Sequence, residues 1–193
     1  MLNKLFVSAV RVKILKTMLL NPDKSLHVRA IVRSVGAEIN AIRRELDNLI
    51  SIDLLRKRQS SNRIYYTVNT FNAFFPELLA LVAKEDGLAG SIYKNIKALG
   101  KIEYAVLSKG FVRGRKSTAL DVDLFVVGEI AEDLLNKLVK EEESRIGKEI
   151  NFSVMTPEEF LSRKRTGDQF VERFMSQSRI MLVGDEEKFC ALV

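Results

Sequence analysis

Residues 104–128 read YAVLSKGFVRGRKSTALDVDLFVVG, and this stretch decides how the second half of the chain is expected to fold. An apolar run, 104–107, leads into a short basic loop that contains glycine, and a second apolar run follows at 124–127. Asp121 and Asp123 lead that second run, and residues two apart in a strand share one face. Two parallel carboxylates beside a glycine loop are typical of a site for a divalent metal and a triphosphate. The alternative is a surface strand that begins with two solvated aspartates, and the spacing alone favours neither.

The composition is that of an ordinary globular protein, and it excludes several kinds of site. Of the 193 residues, 47% are hydrophobic and 29% are charged, which suits one medium domain or two small ones. A single cysteine, Cys190, excludes an internal disulfide, and a single histidine, His27, excludes a multi-histidine metal site. No stretch reaches a membrane-spanning length and no cleavable leader is visible, so the sequence predicts a cytoplasmic protein without a membrane partner.

Positive charge is concentrated in the first half of the chain. Residues 1–84 contain 14 Lys and Arg against 6 Asp and Glu, whereas residues 85–193 contain 17 against 19. The formal net charge is therefore +8 in the first range and −2 in the second, which together give the +6 of the whole chain. A basic half joined to a near-neutral half suggests a polyanion-binding module followed by a second domain.

The first half carries the pattern of a helix-turn-helix followed by a hairpin. Amphipathic helices are predicted over 7–20 and 28–35, and a glycine turn leads into a third helix over 40–51. The period then changes, and strand-like runs follow at 54–59 and 63–68, joined by a polar turn. This order of elements predicts a winged helix.

Residues 3 to about 84 resemble the winged-helix domain of ArsR-like bacterial and archaeal regulators. The resemblance is carried by AVRVKILKTMLLNPDKSLHVRAIVRSVGAEINAIRRELDNLISIDLLRKRQSSNRIYYTVN and by the FFPELLALV that follows. It implies sequence-specific binding to double-stranded DNA, usually by a homodimer. The metal-sensing cysteines of many such regulators are absent here, so nothing in the sequence supports metal sensing.

The candidate DNA contacts lie on the second and third helices and on the hairpin. Near the start of the third helix, Asn40, Arg43 and Arg44 are the base-reading candidates, because arginine is bidentate to guanine and asparagine to adenine. A solvated helix face is the alternative for these three. Arg29 and Arg33 on the second helix are expected to hold phosphates rather than read bases. The hairpin cations, which could straddle phosphates or enter a minor groove, are Arg56, Lys57, Arg58 and Arg63.

The second half is predicted to alternate helices and short strands. After the opening stretch, a helix is expected over 130–146 and a third strand over 149–155, followed by a capped helix, a strand and a final short helix. The predicted domains are 1–86 and 87–193. The fold class is α+β, with a winged helix-turn-helix domain followed by an α/β domain whose small mixed sheet is flanked by helices.

From about Ser91 to its end, the chain resembles the minimal nucleotidyltransferase domain of the DNA polymerase β superfamily. The resemblance is carried by VLSKGFVRG, DVDLFVVG and KEINFSVMTPEEF. It implies that Asp121 and Asp123 bind Mg²⁺, the cofactor that bridges the nucleotide phosphates during nucleotidyl transfer. It also implies a nucleotide-binding segment after the first strand, with Lys109, Gly110 and Arg113 as its members.

Two departures from the family pattern argue against transferase activity. Lys109 and Gly110 stand where the family has Gly-Ser or Gly-Gly, and close backbone approach to a phosphate tolerates no side chain. The third carboxylate would come from the third strand, where the best-aligned residue is Asn151, a weak metal ligand, and Glu149 shares its face. Lys109 either supplies a replacement charge for the phosphate or neutralises the aspartates, and the sequence leaves both open.

Three functions fit this sequence. The leading one is a homodimeric, DNA-binding transcription regulator whose carboxy-terminal domain is a degenerate nucleotidyltransferase that senses a nucleotide or mediates assembly. The second is an active Mg²⁺-dependent nucleotidyltransferase that modifies a protein or a small molecule. The third is an antitoxin-like interaction module that represses its own operon.

Overall fold

The computed structural model describes residues 1–115, Thr118 and residues 121–191. Contacts within the chain divide it into two compact units, Met1–Glu85 and Asp86–Val193. Both units combine helices with a small β-sheet, so the fold class is α+β. No helix in the described part of the chain is long and apolar enough to cross a membrane.

The first unit is a helix-turn-helix followed by a β-hairpin. Its elements in chain order are α1 (Leu2–Leu5), α2 (Ala9–Leu19), β1 (Leu26–His27), α3 (Val28–Val35), α4 (Ile39–Ser51), β2 (Leu55–Ser60), β3 (Arg63–Val68) and α5 (Phe75–Glu85). The strands pair in the order β1-β3-β2, and both pairings are antiparallel. This order of helices and strands is the winged-helix arrangement that the sequence predicts.

The start of the first unit differs from the prediction in two places. The helix predicted from residue 7 begins at Ala9, because the Ser8 side chain caps it by accepting a hydrogen bond from the Arg11 backbone N–H. Val7 therefore precedes the helix and is fully exposed rather than part of the apolar stripe. Residues 25–27 are predicted to form a short extended connector before α3, and they contain β1, which pairs with β3 through Leu26 and His27.

The turn between α3 and α4 is fixed by one glycine and one carboxylate. Gly36 ends α3 in the left-handed conformation, with φ 63° and ψ 42°, which glycine adopts without strain. Glu38 then caps α4, because its carboxylate accepts hydrogen bonds from the backbone N–H groups of Asn40 and Ala41 at 2.7 and 3.0 Å. Gly36 and Glu38 together set where α4 begins.

The second unit is built on a mixed sheet. Its elements are α6 (Gly87–Leu99), β4 (Gly100–Ser108), α7 (Lys109–Val112), β5 (Leu124–Ile130), α8 (Glu132–Ile146), β6 (Phe152–Met155), α9 (Pro157–Arg165), α10 (Gln169–Ser176), β7 (Arg179–Val183) and α11 (Glu186–Cys190). The strands lie in the order β6-β5-β4-β7. β4 is antiparallel to β5 and β7, whereas β5 and β6 are parallel. The described residues thus form a small mixed sheet with helices between its strands.

One face of this sheet carries an aromatic core. Phe125 on β5 is fully buried, and its ring centroid lies 4.7 Å from that of Phe174. Phe160 and Phe189 stack with their centroids 5.3 Å apart and their planes within 10°. Val122, which precedes β5, belongs to the same cluster. Burial of aromatic side chains in such clusters is a large part of what holds a domain of this size together.

Helix α6 begins earlier than the sequence predicts. The glycines at 87 and 90 predict an interruption of the chain before a helix over 91–99, but α6 starts at Gly87, and Gly90 lies buried inside it. A Cβ on Gly87 would lie 2.8 Å from Glu142 Oε1 on α8. Gly87 also has a φ of 55°, a left-handed conformation that favours glycine, so this residue suits the start of the helix.

Candidate nucleic-acid interface and carboxylate site

Helix α4 has an apolar face that determines which side chains point outward. Ile42 and Leu46 are fully buried, and Leu49 is 3% exposed. The exposed side chains on the opposite face are Asn40, Arg43, Arg44, Asp47, Asn48 and Ser51. The three predicted base-reading residues therefore share one exposed face. Asn48 and Ser51 extend this face, four and seven residues after Arg44. The sequence-based prediction did not include them, although helical spacing could have identified them.

The other helix residues predicted to contact DNA lie on α3. Arg29 and Arg33 are both exposed, and they are one turn apart on the same side of the helix. His27 caps this helix, because its Nδ1 accepts a hydrogen bond from the Ala30 backbone N–H at 3.2 Å. A backbone N–H at the start of this helix therefore already has a hydrogen-bond partner within the protein.

The register of the β2–β3 hairpin sorts its cations onto two faces. Directly paired residues in antiparallel strands share a face. The pairs are Arg56 with Thr67, Lys57 with Tyr66, Arg58 with Tyr65, and Ser60 with Arg63. Arg56, Arg58 and Arg63 consequently lie on one face together with Tyr65. Lys57 lies on the other face, which is the face of the buried Tyr66.

The arginine face of the hairpin extends onto β1. His27 on β1 pairs directly with Tyr65, so the two side chains are on the same face. Their rings meet edge to face, with centroids 6.0 Å apart and planes at 87°. Arg58, Tyr65 and His27 therefore form a row across the sheet. Alternation along β2 already separates Lys57 from Arg56 and Arg58, whereas only the strand pairing places Arg63 with the two arginines.

Asp123 is held at the entrance to strands β5 and β6. It is 1% exposed, and its backbone N–H donates to the carbonyl of Asn151 at 2.7 Å. The Asn151 backbone N–H in turn donates to Asp123 Oδ2 at 3.0 Å. The sequence predicts that the aspartates and Asn151 lie on these strands. In the structure β5 begins at Leu124 and β6 at Phe152, so all three residues precede their strands.

Asp121 is held by a different set of groups from those around Asp123. The backbone N–H and the hydroxyl of Thr118 both donate to Asp121 Oδ2, at 2.7 and 2.9 Å. These hydrogen bonds, with a further contribution from the positive charge of Arg173, hold the pKa of Asp121 below its usual value. The Asn151 side chain donates to the Thr118 carbonyl at 2.9 Å. Thr118 therefore bridges Asp121 to Asn151.

Two of these residues were not found from the sequence. Thr118 stands three residues before Asp121, a spacing at which a hydroxyl and a carboxylate can bond across a turn, so a local signal existed. Arg173 lies on α10, and nothing in the sequence connects it with Asp121. The sequence left open whether Lys109 faces the aspartates; the cation that lowers the pKa of Asp121 is Arg173.

The predicted nucleotide-binding segment forms the short helix α7. Ser108 caps it, and its Oγ accepts a hydrogen bond from the Gly110 backbone N–H at 3.1 Å. The Lys109 backbone N–H donates to the carbonyl of Ser178 at 2.9 Å. Arg113 ends the helix, and its backbone N–H donates to the Lys109 carbonyl at 3.1 Å. The backbone N–H groups of Lys109, Gly110 and Arg113 thus have partners within the protein.

The carboxylates offer Mg²⁺ fewer ligands than a closed protein site. In the described ranges, no group of three or more His, Cys, Asp and Glu side chains is arranged to hold a metal ion. Asp121 and Asp123 supply the oxygen ligands that Mg²⁺ prefers, and this ion usually completes its shell with water and substrate phosphates. The donor chemistry of the pair is compatible with Mg²⁺, and the remaining ligands of such an ion would come from outside the protein.

Comparisons with known proteins give little. No family model and no curated protein matches the chain. Among solved structures, it is similar to reduced HlyU from Vibrio cholerae N16961, with 21% sequence identity and a TM-score of 0.34. The match covers 44% of this chain and 80% of that one. The TM-score is too low to establish a shared fold.

Proposed function

We propose that the protein is a DNA-binding transcription regulator that contacts duplex DNA through α3, α4 and the β2–β3 hairpin. The observation that carries the proposal is the exposure of many basic side chains on a helix-turn-helix and its hairpin. All the predicted contact residues on these elements are exposed: Arg29, Arg33, Asn40, Arg43, Arg44, Arg56, Lys57, Arg58 and Arg63.

The chemistry of this surface suits duplex DNA. Lys and Arg that neutralise phosphates release counterions, which supplies sequence-independent affinity. An exposed helix of the width of α4 fits the major groove, where Arg43 and Arg44 can bond guanine and Asn40 can bond adenine. The hairpin cations then have phosphates or an adjacent groove as their partners.

Binding to the DNA upstream of the protein's own gene tests the proposal. We expect preference over random DNA at physiological salt, and we expect Arg43→Ala or Arg44→Ala to lower the specific affinity by about 1–3 kcal/mol. Lys137→Ala on α8 removes one exposed charge and serves as the control, with little change. Fluorescence anisotropy of labelled duplexes measures both affinities. Equal affinity for the upstream and random duplexes across several natural sites would refute sequence-specific regulation.

We propose further that the carboxy-terminal unit senses a nucleotide or mediates assembly rather than catalysing transfer. The supporting observation is that the chain itself engages the groups a transferase would use. Thr118 donates to Asp121, Asn151 donates to Asp123, and Ser108 accepts from the start of α7. A bound Mg²⁺ would be held by Asp121 and Asp123 and would neutralise phosphate charge.

Calorimetric titration of ATP and GTP, with and without Mg²⁺, separates the alternatives. Binding without turnover, weakened by Asp121→Asn, would support nucleotide sensing. Label transfer from the triphosphate that Asp121→Asn abolishes would instead establish an active nucleotidyltransferase. Absence of binding would leave assembly, or an antitoxin-like interaction, as the role of this unit.

We also propose that the protein acts as a homodimer, as regulators with a winged helix commonly do. An exposed apolar surface in the first unit supports association. Phe71 and Phe74 are 92% and 69% exposed, and Ile52 beside them is 57% exposed. The Asn72 side chain, which donates to the Ile52 carbonyl at 2.9 Å, holds these residues together. Sedimentation equilibrium at micromolar concentration checks the mass, and a monomer throughout would contradict the proposal.

A further inference from the structure

Helix α4 carries one buried charge on the side away from its exposed arginines. Among the residues of α4, all of which are described, Glu45 is 5% exposed whereas Arg43 and Arg44 are exposed. Its Oε2 accepts hydrogen bonds from Arg11 Nε on α2 at 2.8 Å and from Asn48 Nδ2 at 3.3 Å. The Arg11 side chain is 34% exposed. A charged pair thus joins α2 to α4 beside their apolar contact.

The charge on Glu45 is retained despite its burial. Burial acts to raise the pKa of this carboxyl, but hydrogen bonds from Ser8, Arg11 and Asn48 outweigh it and hold the pKa below its ordinary value. Stability alone does not call for such a pair, because apolar residues of similar volume often serve as well or better at a buried site. The free energy of folding alone therefore does not account for the pair.

The hydrogen-bonded ion pair depends on how α4 is rotated about its own axis, whereas the apolar contact of α4 depends on it little. Ile42 and Leu46 bury apolar surface, and this interaction has little preference for orientation. A rotation of α4 by about 20° moves a side-chain tip about 5 Å from the helix axis by about 2 Å. A displacement of this size breaks a hydrogen bond to a base edge. The 2.8 Å contact between Arg11 and Glu45 restricts that rotation.

We infer that Arg11 and Glu45 are positioning residues that fix the rotation of α4 and thereby set DNA sequence discrimination. They hold Asn40, Arg43 and Arg44 in one register relative to the base edges. Affinity for DNA in general depends on the exposed cations and is independent of the pair. This inference rests on the proposed DNA-binding function, and it adds two residues that do not themselves face the DNA bases.

The test replaces both partners at once, so that no buried charge is left unpaired. In the double variant Arg11→Met with Glu45→Met, we expect an unchanged or higher melting temperature. The ratio of the random-DNA Kd to the specific-DNA Kd should fall by about tenfold or more, because each base contact loses its alignment. Affinity for random DNA should stay within about threefold. A folded double variant with the wild-type ratio would overturn the inference.

Two further variants distinguish positioning from a general effect of charge. Arg11→Lys keeps the positive charge but loses the planar guanidinium, so the ratio should lie between those of the wild type and the double variant. Arg163 and Glu159 form an exposed pair on α9, with an N–O distance of 2.7 Å. Replacing both of these with Met should leave the ratio unchanged; a loss equal to that of the Arg11 and Glu45 variant would overturn the inference.

A measurement without DNA separates this inference from the proposed function. Amide hydrogen exchange in α4 should be faster in the Arg11→Met, Glu45→Met variant than in the wild type, at matched global stability. Unchanged exchange in α4 would overturn the positioning role even if the protein binds DNA specifically. If the wild-type protein prefers no DNA sequence while α4 exchange still rises, the regulatory function fails and the structural role of the pair stands.

Discussion

At the scale of single residues, the described glycines differ in what surrounds them. Gly184 follows β7 with a φ of 90°, and a Cβ there would lie 2.4 Å from Tyr104 Cδ1 and 2.6 Å from the Glu103 carbonyl oxygen. Gly147 ends α8 with a φ of 67°, yet a Cβ there would meet no atom within 4 Å. The first glycine is required by both conformation and space, and the second by conformation alone.

Alanine at these two positions should therefore have unequal costs. Gly184→Ala should destabilise the protein by about 2–4 kcal/mol, because backbone strain and overpacking add. Gly147→Ala should cost about 1 kcal/mol, since only the strain applies. Urea unfolding followed by circular dichroism measures both. Equal losses in the two variants would show that the contact with Tyr104 and Glu103 relaxes without cost.

The same scale shows why the exposed face of α4 was easier to predict than the surroundings of Asp121. Arg43 and Arg44 lie off the apolar period of a single helix, so their exposure follows from local spacing. Asp121 is different, because its partners include Thr118 on the preceding loop and Arg173 on α10. No periodicity connects these residues. Contacts between distant elements become visible only once the sheet order is known.

At the scale of elements, the hairpin was predicted within one residue, but β1 was not predicted. β2 and β3 are short runs on either side of a polar turn, and this signal is local. β1 has only two residues and is a strand solely because it pairs with β3. Similarly, α6 starts at Gly87 because tertiary packing overrides the local tendency of two glycines to break a helix.

The two faces of the hairpin should contribute differently to DNA binding. Replacing Arg56, Arg58 and Arg63 together with Ala removes all three arginines of one face. We expect the slope of log Kobs against log salt to become shallower by about 2–3 units, since each lost phosphate contact contributes about 0.9. Lys57→Ala, on the other face, should change the slope by about one unit or less.

Salt titrations by fluorescence anisotropy, on one duplex and at one pH, provide the measurement for the hairpin. If Lys57→Ala flattened the slope as much as the triple arginine variant, the face that carries Tyr66 rather than Tyr65 would be the one that meets phosphates. The circular dichroism spectrum of each variant serves as the control for folding. The strand pairing itself should be unaffected, because all four side chains are exposed.

At the scale of the whole molecule, charge and aromatic residues are unevenly distributed along the chain. Residues 1–84 hold the excess of Lys and Arg, whereas the aromatic core lies in the second unit around Phe125. Several rings pack around Phe125: those of Phe160, Phe170, Phe174 and Phe189. The excess positive charge therefore lies in the first unit, whereas the aromatic cluster stabilises the second.

Removal of the Phe125 ring should show how much the aromatic core stabilises the protein. Phe125→Ala should destabilise the protein by about 3–5 kcal/mol, because the cavity it leaves is lined by rings that cannot all collapse into it. Val7→Ala truncates a side chain that is fully exposed and lies outside the proposed dimer surface, and its effect should stay within about 0.5 kcal/mol. Urea unfolding compares the two, and similar losses would contradict a core centred on Phe125.

The Glu38 carboxylate that caps α4 occupies a helix end that could otherwise bind a phosphate. The amide groups of Asn40 and Ala41, which in a bare helix end would bind a phosphate, already face Glu38 Oε2 at 2.7 and 3.0 Å. A phosphate brought to that end would meet a negative charge with no free amide behind it. In the DNA complex proposed above, this end of α4 would therefore not hold a phosphate, and contact would fall to the exposed side chains of Arg43 and Arg44.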